Sequence, residues 1–494
     1  MSLKTISRLF AYSPRYLQNA RALNINTVNK EVVKSSYSIR GHLNTVSDQL
    51  RKRMAAGEKL PFDSIIPCNI GNPLAVGKDP LTFPRDVVSC IENTKLLNSA
   101  DISEEAKDRA KQIIASTGGR FGGYTKSQGI EIVRQHIAEF MYKRDGYPCK
   151  PDDIYLSDGA SSAISFLMTL LIQHNNVGIM TPFPTYPVYT SEAAVHGGKI
   201  VPFYLRESNN WSLDIEELVR AYNLAIKEGI DVRCMVIINP CNPTGHVLRP
   251  ETMRTIVDFC EQNNILLIAD EVYQDVVYNK ERPFYSFKKI ASQMKSNIQL
   301  VSLHSISKGF MGECGHRGGY FELYHFPEDV KAQIFKMATF GLCPNAVGQV
   351  IVDCMVHPPE APENKAIWES ERNSYITKLQ QKSVKLAECF NSLPGIKCKP
   401  ADGGWYLFPA LSLPLKALEA AKSCRWQREV MPPDFFWCLK LLEETGVIVV
   451  PGSGFGQVPG TFHFRSTFLP EDEKFDQVIE RITKFQNEFM TKYD

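Results

Sequence analysis

Lys308 stands in Ser305-Ile306-Ser307-Lys308-Gly309, directly after the apolar run 300–303. A primary amine that leaves a buried strand among small residues is a candidate nucleophile. Desolvation and neighbouring positive charge make such an amine reactive toward a carbonyl, with which it condenses to a Schiff base. Asp270 closes a second apolar run, 265–269. A carboxylate in that place can hold a pyridine nitrogen protonated and turn the ring into an electron sink. At ~4 Å and an effective dielectric near 20 the attraction is about 4 kcal/mol. That equals roughly three pKa units, enough to keep such a nitrogen protonated at neutral pH.

Other residues suit the same ring. Asn242, in Asn239-Pro240-Cys241-Asn242-Pro243-Thr244-Gly245, and Tyr273, in Asp270-Glu271-Val272-Tyr273, both carry donors for a phenolic oxygen. Tyr186, in Pro184-Thr185-Tyr186-Pro187, is an aromatic able to stack on a ring face. Gly159-Ala160-Ser161-Ser162 follows an apolar run and opens a helical stretch, so its amides and hydroxyls form an anion cup. Ser305 adds a hydroxyl, and Arg317 adds a charge-assisted contact. Arg465, in His463-Phe464-Arg465-Ser466-Thr467, suits a carboxylate. Two bonds of about 1.5–3 kcal/mol each would make an α-carboxylate a requirement for binding. Each feature alone has an ordinary reading: a solvated lysine, a strand-end or turn residue, a packing aromatic, a helix cap, a surface ion pair. No Walker A sequence and no GxGxxG is present, so a nucleotide has no support.

The elements that must position these groups are legible as short apolar runs at 154–156, 177–180, 235–238, 266–269 and 300–303, separated by helical stretches. Such alternation indicates an α/β fold with a mostly parallel sheet sandwiched by helices. In such sheets ligands bind beyond the carboxyl ends of the strands. All five runs are followed by polar, aromatic or turn-rich segments. The Pro-rich segment 357–362 breaks the alternation. A charged helical stretch at 366–392, short strands and a final helix near 471–492 follow. This organisation predicts a large domain over 80–356 and a smaller α+β domain built from 31–79 and 357–494.

Composition narrows the classes. A net charge of +2 gives no field for nucleic acid or an anionic membrane. No apolar run reaches the length of a spanning helix. The 13 cysteines are scattered without a CxxC pair, and no HExxH occurs, so reduced thiols and no metal are expected. Residues 1–30 are basic (Lys4, Arg8, Arg15, Arg21, Lys30) and free of acids until Glu31, with Leu3, Ile6 and Phe10 near one helical face. That is the pattern of a mitochondrial transit peptide, which places the protein in the matrix; a basic tail without an address is the alternative.

In this order and combination, the Asn-Pro-Cys-Asn-Pro-Thr-Gly turn, Asp270-x-x-Tyr273, Ser305-x-x-Lys308 and Phe464-Arg465-Ser466-Thr467 resemble the class I/II aminotransferases of the fold-type I pyridoxal-phosphate superfamily. Within it, residues 302–320, 37–41, 69–73, 123–129 and 451–457 are similar to the alanine aminotransferase group. The resemblance runs from about residue 35 to the C-terminus. It implies pyridoxal 5′-phosphate as cofactor. Lys308 would carry it as a Schiff base and shuttle the proton, Asp270 would pair with the ring nitrogen, Asn242 and Tyr273 would contact the ring oxygen, and Tyr186 would stack. Ala160, Ser161, Ser305 and Arg317 would hold the phosphate. Tyr124 would reach the phosphate of a neighbouring subunit, which implies a homodimer. Arg465 would bind the substrate α-carboxylate, and Gly71 would line the substrate pocket. Amino and keto acids are then the substrates, in a ping-pong exchange between L-alanine and 2-oxoglutarate.

Two departures from the class I pattern are present. The spacing from Lys308 to Arg317 is one residue longer, a feature shared by the alanine aminotransferase group, and His316 replaces an expected Lys or Gln. A glutamate–glyoxylate aminotransferase is the nearest rival. A lyase of the same fold, such as an aminocyclopropane-carboxylate synthase, is a second, opposed by Gly312-Glu313-Cys314-Gly315-x-Arg317-Gly318-Gly319-Tyr320. A non-catalytic scaffold is opposed by the filled catalytic positions.

Overall fold

The computed structural model describes residues 23–35, 41–426 and 429–494. Most of the basic segment 1–30 and the motif residues 37–40 lie outside the described residues.

Seven strands form the central sheet: β1 (Ile154–Ser157), β2 (Val177–Phe183), β3 (Lys199–Tyr204), β4 (Asp231–Ile238), β5 (Leu266–Asp270), β6 (Leu300–Ser305) and β7 (Gly319–Tyr324). Their spatial order is β1-β7-β6-β5-β4-β2-β3. β6, β5, β4, β2 and β3 pair in parallel, whereas β7 runs antiparallel to both β6 and β1. β5 and β6 are buried at every position, the mark of strands covered on both faces. Along β4, Met235 and Ile237 enter one apolar core, while Cys234, Val236 and Ile238 enter another. This alternation follows the two-residue period of a strand. The helices Ile215–Lys227 and Pro250–Gln262 supply the first core; α1 (Ala160–Leu171) and the helix Val188–Val195 supply the second.

All five strands expected from apolar runs are present. β3 and β7 are additional. β3 is an edge strand with alternating burial and carries Pro202, which weakens a strand signature. β7 carries Glu322 in its middle, buried and paired with Lys288, so a charge interrupts its apolar pattern.

The second unit contains α2 (Pro362–Ser392), α3 (Pro433–Thr445) and α4 (Asp472–Tyr493). α2 begins four residues before the expected position because Pro362 is itself its first residue, where a missing N–H costs nothing. Three short strands, β8 (Tyr406–Leu407), β9 (Val450–Pro451) and β10 (Phe464–Thr467), form an antiparallel sheet in the order β8-β10-β9. The N-terminal segment joins this unit. Ile66–Pro67 pairs in parallel with Val447–Ile448, and Leu43, Leu50 and Ile66 share a core with Phe436, Trp437 and Phe485. All thirteen cysteines are free. Among the described residues no helix is long and apolar enough to cross a membrane.

Candidate active site

The carboxyl ends of the strands set the geometry. Asp270 ends β5, in register with Ile238 at the end of β4 and with Leu303 of β6. Ser305 ends β6, and Lys308 follows three residues later. Asn242 lies in the turn after β4, Tyr186 in the turn after β2, and Gly159 between β1 and α1. In that Pro-rich turn, the Asn239–Pro240 and Asn242–Pro243 peptides are cis. β10 brings Arg465 in from the second unit.

These segments enclose one cavity of about 620 Å³. Of the residues singled out in the sequence, Gly71, Ala160, Ser161, Tyr186, Asn242, Asp270, Tyr273, Ser305, Lys308, Arg317 and Arg465 all line it. Among the described residues its charged side chains are Asp270, Lys308, Arg317 and Arg465. Tyr124 is not among the lining residues; it is 80% exposed in the loop before the helix Glu131–Asp145.

Lys308 Nζ donates to the Gly71 carbonyl at 3.0 Å and lies 5.2 Å from the centre of the Trp405 ring. Asp270 is buried. Burial raises its pKa; the Tyr189 hydroxyl, donating to Oδ2 at 2.8 Å, and the Val272 amide, at 3.4 Å from Oδ1, act against the rise, as do His304 and Lys308 through their charge. Arg317 closes the cup at the start of α1. It donates to Ser161 Oγ and to the Asp158 carbonyl, both at 2.9 Å. Gly159 (φ 79°) permits this approach, since a Cβ there would stand 2.6 Å from Arg317 Nη2.

Arg465 is 1% exposed and packs against two rings, 4.0 Å from the Tyr406 centroid and 4.8 Å from that of Phe455. Nη1 donates to Asn242 Oδ1 at 2.9 Å, and Nη2 donates to the Asn69 carbonyl. Of the five N–H bonds of a guanidinium two are thereby used, and Nε is buried without a partner. Because Arg465 takes the oxygen of Asn242, the NH2 end of that amide is the one left to donate.

Sequence reasoning missed Tyr189, Trp405 and Tyr406. Tyr189 stands three residues after Tyr186, so the repeat Tyr-Pro-x-Tyr was the available signal. Trp405 and Tyr406 follow Gly403-Gly404 far from any β-strand end of the large sheet, and nothing local ties them to Lys308.

The model for aminotransferases of class I and II matches residues 90–482. The chain belongs to this family. A probable mitochondrial alanine aminotransferase of Dictyostelium discoideum is 43% identical over 491 residues, covering 97% of this chain and 91% of that protein. Glutamate–glyoxylate aminotransferase 1 of Arabidopsis thaliana is 41% identical over 491 residues, covering 96% of this chain and 98% of that one. An alanine aminotransferase structure from Pyrococcus furiosus superposes with a TM-score of 0.72 at 24% identity, over 93% of this chain and 99% of that one, which shows the shared fold. Aminotransferases of this family depend on pyridoxal 5′-phosphate.

The cavity fits that cofactor on its own evidence. Ser305 Oγ is buried without a hydrogen-bond partner, a costly state for a polar group unless a ligand satisfies it, and the buried Tyr273 hydroxyl has only the neighbouring Tyr406 phenol beside it. Both are groups assigned to the cofactor, one to its phosphate and one to its ring oxygen. Asp270 matches a protonated ring nitrogen in charge, and Ser161 with Arg317 at the helix start matches a phosphate.

Proposed function

We propose that the chain transfers an amino group between L-alanine and 2-oxoglutarate, giving pyruvate and L-glutamate, in two alternating half-reactions. The observation that carries the reading is the convergence of Lys308, Asp270 and Arg465, from three separate stretches of sequence, on a cavity with an anion cup at one end. When bound, pyridoxal phosphate supplies an aldehyde for the amine and a protonated ring that accepts the electrons of the Cα–H bond.

The side chains do the rest. Ala160, Ser161, Ser305 and Arg317 hold the phosphate. Asp270 keeps a proton on the ring nitrogen, and Tyr189 holds Asp270 charged against its burial. Tyr273 and the NH2 of Asn242 donate to the ring oxygen, and Tyr186 covers a ring face. Arg465 receives the substrate α-carboxylate on its remaining N–H groups, kept in plane by Tyr406 and Phe455. Lys308 Nζ would take the proton from the substrate Cα and carry it across the site. Gly71 keeps the wall beside Lys308 at backbone width, since a Cβ there would stand 2.2 Å from Tyr406 Oη.

The active unit in this reading is a homodimer in which Tyr124 completes the partner's phosphate cup. Its support is exposure: Tyr124, Phe340 and Leu342 face outward, Phe340 at the end of the helix Glu328–Phe340 and Leu342 just beyond it, where its carbonyl accepts from Ser127 Oγ at 2.7 Å. The acid-free basic segment 1–30 and the mitochondrial name of the Dictyostelium relative support a place in the mitochondrial matrix.

Glutamate–glyoxylate exchange is the second reading, favoured by an Arabidopsis relative almost as similar as the alanine aminotransferases. Steady-state assays with alanine or glutamate as donor and 2-oxoglutarate, pyruvate or glyoxylate as acceptor separate the two. The proposal expects the alanine–2-oxoglutarate pair to have the highest kcat/KM and aspartate to be a poor donor. A glutamate–glyoxylate pair that exceeds it would replace the proposal.

A further inference from the structure

Lys308 has to act as a free amine in both half-reactions, displaced from the cofactor at the start of the first and rejoining it at the end of the second. The structure shows what surrounds that amine. Nζ donates to the Gly71 carbonyl at 3.0 Å and faces the ring of Trp405 at 5.2 Å. Gly71 is in turn pressed against the same aromatic pair. A Cβ built on it would meet Tyr406 Oη at 2.2 Å and Trp405 Cε3 at 3.0 Å. The Tyr406 hydroxyl therefore stands beside the carbonyl segment that holds Lys308, inside the cavity that both residues line. Cys314 reaches the same segment: its thiol donates to the Ser307 carbonyl at 3.0 Å and approaches the Gly71 carbonyl at 3.6 Å.

We propose that Gly71, Trp405 and Tyr406 form a berth for the freed Lys308 amine, with Tyr406 the positioning residue that gives the berth its polarity. This inference rests on the aminotransferase reading of the same cavity. The carbonyl is one acceptor, the indole face attracts a cation, and the phenol supplies a second oxygen. The electrostatics agree with the geometry. Burial alone would raise the pKa of the Tyr406 phenol, yet Lys308, Arg465 and a hydrogen bond with the Tyr273 hydroxyl together outweigh it and hold the phenol below its usual value. Tyr406 serves a second group as well: its ring face carries the Arg465 guanidinium at 4.0 Å. The hydroxyl and the ring thus have separable duties, one toward Lys308 and one toward the carboxylate-binding arginine.

That separation supplies the test. The protein loaded with pyridoxal phosphate is titrated with 2-methylalanine, an amine that displaces Lys308 but has no Cα proton to lose. Borohydride reduction and peptide mass analysis then count the fraction of Lys308 still joined to the cofactor. Binding of propionate, which carries a carboxylate and no amine, is measured in parallel by its effect on the cofactor absorbance. In Tyr406→Phe, half-release of Lys308 should need about tenfold more 2-methylalanine, the loss of one hydrogen bond to a charged group, while propionate binds as in the wild type. In Tyr406→Leu both ligands should weaken, because the ring under Arg465 is gone. Release of Lys308 in Tyr406→Phe at the wild-type concentration would overturn the proposal, as would an equal loss of propionate binding in the Phe and Leu variants. Failure of alanine and glutamate to exchange in the unmodified protein would instead overturn the proposed reaction, and any amine that does free Lys308 would still read the berth.

Discussion

Asp270 owes its state to an opposition between burial and the groups around it, the Tyr189 phenol foremost. Burial favours the neutral carboxyl, and the Tyr189 hydroxyl stabilises the charged one. Removing that donor raises the carboxyl further, so the ring nitrogen keeps its partner charge only at higher pH. For Tyr189→Phe the acidic limb of the kcat/KM profile should move upward by about one pH unit, the equivalent of ~1.5 kcal/mol for a bond to a charged group; an unmoved limb would deny Tyr189 this role. Arg465 yields a second expectation. Lysine at that position keeps the charge but loses the planar fork, so Arg465→Lys should raise KM for both amino donors by about a hundredfold, the worth of ~3 kcal/mol, as measured by initial rates. Asp270 and Lys308 were legible in the sequence because each ends or follows an apolar run with chemistry of its own, and Arg465 because the stretch Phe464-Arg465-Ser466-Thr467 carries a carboxylate-binding side chain. Tyr189 and Tyr406 were not, because their roles arise only from what folding sets beside them.

The strands were legible wherever an unbroken apolar run made them so. β5 reads as strand from Leu266 to Ala269 because both its faces are buried. β7 escaped because the fold buries an acid in it: Glu322 pairs with Lys288 and also accepts from the Cys149 thiol at 3.1 Å. A related group stands behind the cavity at the end of β5. Glu271 Oε1 accepts from the Phe287 amide at 2.8 Å, but Oε2 is buried without a hydrogen bond, 3.7 Å from Arg144. Burial outweighs the attraction of Arg144 and pushes this carboxyl up to about 8. Its folded-state pKa thus exceeds its unfolded value of 4.5, and the native state holds a proton that the unfolded chain has lost. Stability from this group is therefore full below the unfolded pKa and falls as pH rises toward 8. Urea unfolding should show wild-type stability declining by a few kcal/mol over that window, and Glu271→Gln should flatten the decline. An identical slope in the variant would contradict the assignment.

At the scale of the whole molecule, the exposed position of Tyr124 is the feature that a single chain leaves unexplained. If it completes the partner's phosphate cup, damage to Tyr124 and damage to Lys308 fall in different sites of one dimer. Co-refolding inactive Lys308→Ala with a Tyr124 variant should then restore activity, toward about a quarter of the wild-type sites, since half of randomly assorted dimers are mixed and each mixed dimer has one intact site. No recovery in verified mixed dimers would show that Tyr124 does not complete the partner's cup.

The central claim is that Lys308 and pyridoxal phosphate move the amino group of alanine in a half-reaction complete in itself. The direct measurement is a stoichiometric one: protein loaded with the cofactor is mixed with excess L-alanine and no keto acid, pyruvate is counted, free alanine and pyruvate are removed, and 2-oxoglutarate is then added. The account predicts one pyruvate per active site and then a halt, followed by one glutamate per site on addition of 2-oxoglutarate, with Lys308→Ala giving neither at a comparable rate. Pyruvate that keeps forming without a keto acid, or none at all while Lys308 carries the cofactor, would contradict it.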